Sequence, residues 1–127
     1  MTRKAMATAL AAIAIMSASG CVTYTTQLNR FIPSQFHGEW NADPDACGTS
    51  FNDSRLRIEP DRLLFWESVG RVISVVERGS REATLTLSMS GEGQEWTQAT
   101  RFWLSADDDT LYMEVPGYKP FARFRCP

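Results

Sequence analysis

The 127-residue chain holds one histidine, three cysteines and, beyond its first twenty residues, a single lysine, Lys119. Each shortage closes off some chemistry. A lone His37 could serve a serine or cysteine hydrolase as base, but no Gly-x-Ser-x-Gly turn is present to offer a nucleophile. No apolar run reaches the roughly 20 residues that a membrane-spanning helix needs. Repeats, low-complexity tracts and long runs of like charge are also missing. No helical apolar stripe appears beyond the N-terminus. Asp43, Asp45 and Asp53 could approach a calcium ion. They lack the Asp-x-Asp-x-Asp-Gly spacing of a calcium loop, and they read as turn residues, as does Asp107-Asp108-Asp109. No catalytic set, metal or cofactor is expected, and the chain reads as a non-enzyme.

What is present starts at the N-terminus. Arg3 and Lys4 precede an apolar stretch, Ala7 to Met16, and small residues follow. These are the three parts of a secretory signal. The run Ser17-Ala18-Ser19-Gly20-Cys21 resembles the lipobox of bacterial lipoproteins. That resemblance implies removal of residues 1–20 and a diacylglyceryl, palmitate-bearing cysteine at Cys21. Cleavage by the general signal peptidase after Ala18 and Gly20 is the alternative. A mature bacterial lipoprotein carries three acyl chains, enough for firm anchoring. Val22 stands where an Asp would retain a Gram-negative lipoprotein in the inner membrane. The resemblance therefore implies the periplasmic face of the outer membrane.

Lipidation of Cys21 would leave Cys47 and Cys126, which can pair in an oxidising compartment. Two buried free thiols are the other option. A pair would staple the start of the folded body to its end, and with one histidine left over, no zinc site remains. Residues 21–34 read as lipidated cysteine and polar spacer, and residues 35–127 as one domain. The signal takes two of the 13 basic residues and none of the 15 acidic ones, which leaves 11 against 15 and a mature charge of −4. Nucleic acid and anionic headgroups are poor partners for such a body.

Residues 35–127 read as all-β. Short alternating runs recur: His37–Asn41, Arg55–Glu59, Leu63–Trp66, Val72–Val76, Thr84–Met89, Trp96–Leu104, Leu111–Val115 and Phe121–Arg125. Turn residues separate them every ~8–12 residues, the rhythm of a barrel or sandwich. Nearly every link is hairpin-short, so an antiparallel meander is expected. Closing eight strands into a barrel removes both edges. A two-sheet sandwich is the alternative. The four tryptophans, Trp40, Trp66, Trp96 and Trp103, read mainly as core. Trp103 is the exception expected by position, because Phe102 beside it points to the opposite face.

Phe36-His37-Gly38-Glu39-Trp40 on the first strand, with Arg123 and Arg125 on the last, is similar to the signature of lipocalin-type barrels. That likeness implies a tryptophan plugging one end, with an arginine over its indole. The body as a whole resembles small Gram-negative lipoproteins without an established activity. The likeness rests on Phe36-x-Gly38-x-Trp40, Asp53-Ser54-Arg55, Phe65-Trp66-Glu67-Ser68-x-Gly70, Ser90-Gly91-Glu92-Gly93-x-x-Trp96, Leu104-Ser105-Ala106-Asp107 and Arg125-Cys126-Pro127. It implies architecture and location. Ser90-Gly91-Glu92-Gly93 is also similar to the inhibitory loop of membrane-bound lysozyme inhibitors, although Glu92 replaces a small residue there. Glu67 beside Phe65 and Trp66 could have its pKa raised like a general acid. Pairing with Arg55 or Arg71 is the plainer expectation. The leading functional expectation is a non-enzymatic envelope module that binds a protein or peptidoglycan. A carrier of a small apolar ligand and a lysozyme inhibitor are the alternatives.

Overall fold

The computed structural model describes residues 19–20, 29–49 and 52–127. Cys21, most of the signal and the first part of the spacer lie outside the described residues. Eight strands follow one another: β1 Gly38–Asn41, β2 Leu56–Ile58, β3 Arg62–Leu64, β4 Ser68–Arg78, β5 Glu82–Gly91, β6 Gln94–Leu104, β7 Thr110–Glu114 and β8 Phe121–Arg125. Each pairs antiparallel with the next, and β8 returns to β1 through Trp40↔Arg125 and Asn41↔Phe124. The meander therefore closes into a barrel rather than splitting into two sheets.

Period-two patterning drives the closure. On β5, Ala83, Leu85, Leu87 and Met89 are buried while the residues between them face outward. On β6, Thr100, Phe102 and Leu104 point inward, and Arg101 and Trp103 point out. The run Val72-Ile73-Ser74-Val75 breaks strict alternation because β4 carries a bulge between Val72 and Ser74. The bulge lets Val72 and Val75 both pack on the core, and it leaves Ile73 exposed.

The barrel is lopsided. β4, β5 and β6 are 11, 10 and 11 residues long, whereas the other strands have three to five. β3 accompanies β4 only from Val69 to Arg71, and β7 accompanies β6 only from Arg101 to Leu104. The long strands thus overhang the ring of closure. β4 projects at one end and β6 at the other.

One end is stoppered. A short 3-10 turn, Ser34–Phe36, folds across it and buries Phe36 completely. Trp40 lies beside it, fully buried, and its indole N–H donates to the Phe36 carbonyl at 2.9 Å. Ile32, also buried, donates its N–H to the Pro60 carbonyl at 2.7 Å. A disulfide joins Cys47 to Cys126 across 79 residues, with Cα atoms 5.6 Å apart. It fastens the segment after β1 to the residue that follows β8, which is the seam of the barrel.

Candidate functional site

The arginine over the indole is Arg125, with its guanidinium carbon 4.1 Å from the Trp40 ring centre. Its nitrogens donate to the carbonyls of Asp108 at 3.1 Å, His37 at 3.2 Å and Gln35 at 2.9 Å. One side chain therefore ties the 3-10 turn, the start of β1 and the β6–β7 turn together. His37 is held too, its Nε2 lying 2.7 Å from the Ile32 carbonyl. A carbonyl only accepts, so Nε2 carries the proton, and that nitrogen is not free to act as a base.

Arg123 does something different. It lies two residues earlier on β8, faces the barrel interior and is only 7% exposed. Its Nε donates to the Ser54 carbonyl at 2.7 Å, and its guanidinium stacks 4.6 Å over Phe121. Burial pushes it down to about 10, still charged at neutral pH. Among the described residues no carboxylate forms an ion pair with it.

The other end of the barrel is open. A hollow of about 390 Å³ is lined by Phe65, Met89, Trp96, Met113, Tyr118 and Phe121, with Gln98 and Lys119 among its polar contributors. A volume in this range accommodates a small molecule or a few side chains. Below it the core is filled, since Leu85, Leu87 and Phe102 are fully buried. The hollow is therefore a mouth and not a shaft. Trp96 and Ser68 also border a second hollow of about 230 Å³, where Glu67, Glu92 and Gln94 gather. An apolar surface and an acidic one share a wall.

Several expectations need correcting at this end. Trp96 is 41% exposed and Trp66 is 40% exposed, so neither is core. Trp66 falls after β3, in the bend to β4, because that strand ends at Leu64. Glu67 is exposed and pairs with neither Arg55 nor Arg71; Arg55 instead meets Glu39 at 3.4 Å. The general-acid argument for Glu67 loses its desolvation. Trp103 does face outward, stacked on Tyr112 at 5.3 Å with Arg101 4.5 Å above its ring.

The motif Ser90-Gly91-Glu92-Gly93 ends β5 and forms the turn into β6. Glu92 and Gly93 take φ of 50° and 74°, which is the twist a two-residue hairpin turn needs. A side chain at Gly91 would strike the Glu67 carbonyl at 2.5 Å. Glycine there permits close approach of the β3–β4 bend. Asp43 accepts from the Asp45 N–H at 2.9 Å, and Asp107 from the Asp109 N–H at 3.2 Å, both local turn bonds. No group of three metal-binding side chains occurs among the described residues.

Sequence reasoning missed the polar interior. Asn41 is fully buried and accepts from the Ser54 hydroxyl at 2.7 Å, and Thr100 is fully buried and accepts from Gln98 at 2.9 Å. The signal was there for Thr100, which is in phase with Phe102 and Leu104.

No family model matches the chain, nor does any curated protein or solved structure.

Proposed function

We propose that this protein is a lipid-anchored, non-enzymatic binding module of the Gram-negative envelope, and that it binds at the open end of its barrel. The supporting observation is the contrast between the two ends. Trp40, Phe36 and Arg125 stopper one end with satisfied hydrogen bonds. At the other, aromatic and methionine side chains line a hollow that nothing fills among the described residues. Leaving such surface in water has a cost of roughly 25 cal/mol for each Å². A partner that covers it recovers that free energy. Cys21 would hold the body at the membrane, with the outer membrane as its place.

The test is crosslinking in living cells. A photoreactive phenylalanine replaces Tyr118, at the rim and 77% exposed, or Ile73, on the outer wall and 40% exposed. Adducts at position 118 but not at 73 are the expected result. Equal or absent adducts at 118 would remove the open end as the site. Cys21→Ser should release the protein from the membrane fraction into the periplasm.

A second reading is favoured by the size of the hollow. At about 390 Å³ it could cradle the apolar part of a small ligand. Native mass spectrometry on the full chain would then reveal a bound mass lost on denaturation.

A further inference from the structure

We propose that the outer edge of β6, from Glu95 to Ala99, is a strand-addition site. It would take an extended peptide that is apolar at alternate positions and basic at the end reaching Glu92. The inference rests on the open end being the binding site, and it names the class of partner.

Register decides which backbone groups are free. Gly91 and Gln94 flank a two-residue turn, so they form a doubly bonded pair, and every second residue after them does the same. Gln94, Trp96, Gln98 and Thr100 therefore direct their N–H and C=O at β5. Glu95, Thr97 and Ala99 direct theirs the opposite way. Arg101 continues that second series, and there β7 takes over, through Arg101↔Glu114. Beyond Glu114 the chain leaves the ladder for a turn in which the Tyr118 N–H donates to the Val115 carbonyl. Among the described residues no backbone group meets those of Glu95, Thr97 or Ala99.

The contrast with β4 is informative. Its overhang is also unaccompanied by β3, yet the chain covers the first part of it, as far as Val75. The Val72 N–H donates to the Asp61 carbonyl at 3.0 Å and the Val75 N–H to the Asn29 carbonyl at 2.7 Å. The corresponding edge of β6 has neither cover nor the lysine or proline that commonly blunts such edges.

Side chains select the occupant. Trp96 and Gln98 project from this strand into the apolar hollow. A lipid tail or small apolar molecule could fill the hollow but would leave three N–H and three C=O groups unpaired. An extended backbone satisfies both, with alternate side chains dropping into the hollow. Charge separates a foreign peptide from a second copy. Glu92 and Glu95 have no ion pair among the described residues, and Glu67 lies beside Glu92. A second copy would bring the same carboxylates, on a chain that already has 15 acidic against 13 basic side chains. A basic residue complements them.

Hydrogen exchange tests this on the full chain, followed by NMR with a synthetic probe. The probe is an end-capped peptide of alternating Val and Thr with Lys at one terminus. Without it, the Thr97 and Ala99 amides should exchange fast while those of Trp96 and Gln98 are protected. With millimolar probe, the Glu95, Thr97 and Ala99 amides should slow by about tenfold or more. The same residues in blocked order, or with alternate amides methylated, should produce no slowing. Protected Thr97 and Ala99 amides in the free protein would overturn the proposal, as would unchanged exchange with the probe. Protection that rises with protein concentration alone would identify a second copy instead. Thr97→Pro removes an N–H that β5 does not use and should abolish the probe's effect. Crosslinks at position 118 that persist without any probe effect would leave the open end standing and remove strand addition alone.

Discussion

Arg125 does more for this fold than its half-buried place on the last strand suggests. Three carbonyls and an indole face converge on it. Hydrogen bonds to a charged group contribute about 1.5–3 kcal/mol each, and cation–π contact adds ~1. These contributions overlap, so Arg125→Ala should lower unfolding free energy by about 2–4 kcal/mol, read from a urea melt. Arg125→Lys should recover little, because a lysine cannot span three carbonyls with a planar fork. A loss below about 1 kcal/mol would mean that the stopper is held by Trp40 and Phe36. The pairing of Trp40 with a last-strand arginine was only implied by the likeness to lipocalin-type barrels, and which arginine it would be was not legible. Arg123 and Arg125 are in phase, and only their depth along the barrel axis separates a stopper from a buried cation.

At the level of elements, strand count and order were legible because period-two alternation and turn residues agree along residues 35–127. Strand length was not. Alternation on β6 starts before its partner β7 arrives, and sequence does not say where a neighbour ends. The exposed Trp66 and Trp96 follow from this. An aromatic on an inward-facing position is core only where the ring of strands is complete, and Trp96 lies beyond it. Glycine in the β5–β6 hairpin is constrained in a way sequence could only hint at. Gly91→Ala would place a Cβ 2.5 Å from the Glu67 carbonyl and 2.8 Å from the Ser68 Cβ. The backbone must move, at a cost of roughly 1–3 kcal/mol. Differential scanning calorimetry should find a lower Tm, and the shift should exceed that of Gly93→Asn, a residue that tolerates positive φ.

Across the whole molecule, the Cys47–Cys126 bridge closes a loop of 79 residues. The chain-entropy model assigns such a closure ~4–5 kcal/mol. Cys47→Ala should remove about that much and expose Cys126 to a thiol probe after partial denaturation. Undiminished stability would mean the seam hydrogen bonds suffice. Acid should also weaken the fold. Arg101 holds the Glu82 carboxyl below its usual 4.5, and the Ser105 hydroxyl does the same for Asp107 below 3.8. The unfolded chain therefore takes up protons first as pH falls. The stability these groups add is complete above about pH 5 and is lost as pH falls through their lowered folded values. Thermal melts between pH 6 and pH 3, flattened by Glu82→Gln, would reveal it; Asp107 is exposed and Glu82 only partly covered, so the slope should be shallow.

The seam has a temporal side. β1 is the first strand among the described residues, and one of its two partners, β8, is the last. In a polypeptide delivered N-terminus first, every hairpin from β2 to β7 can form as it emerges. The ring cannot shut until residues 121–125 arrive, and the bridge must wait one residue more, for Cys126. Until then β1 keeps a bare flank and Trp40 lacks its arginine. Truncation before Phe121 should therefore leave an unfinished barrel, with the edges of β1 and β7 open to the wrong partner.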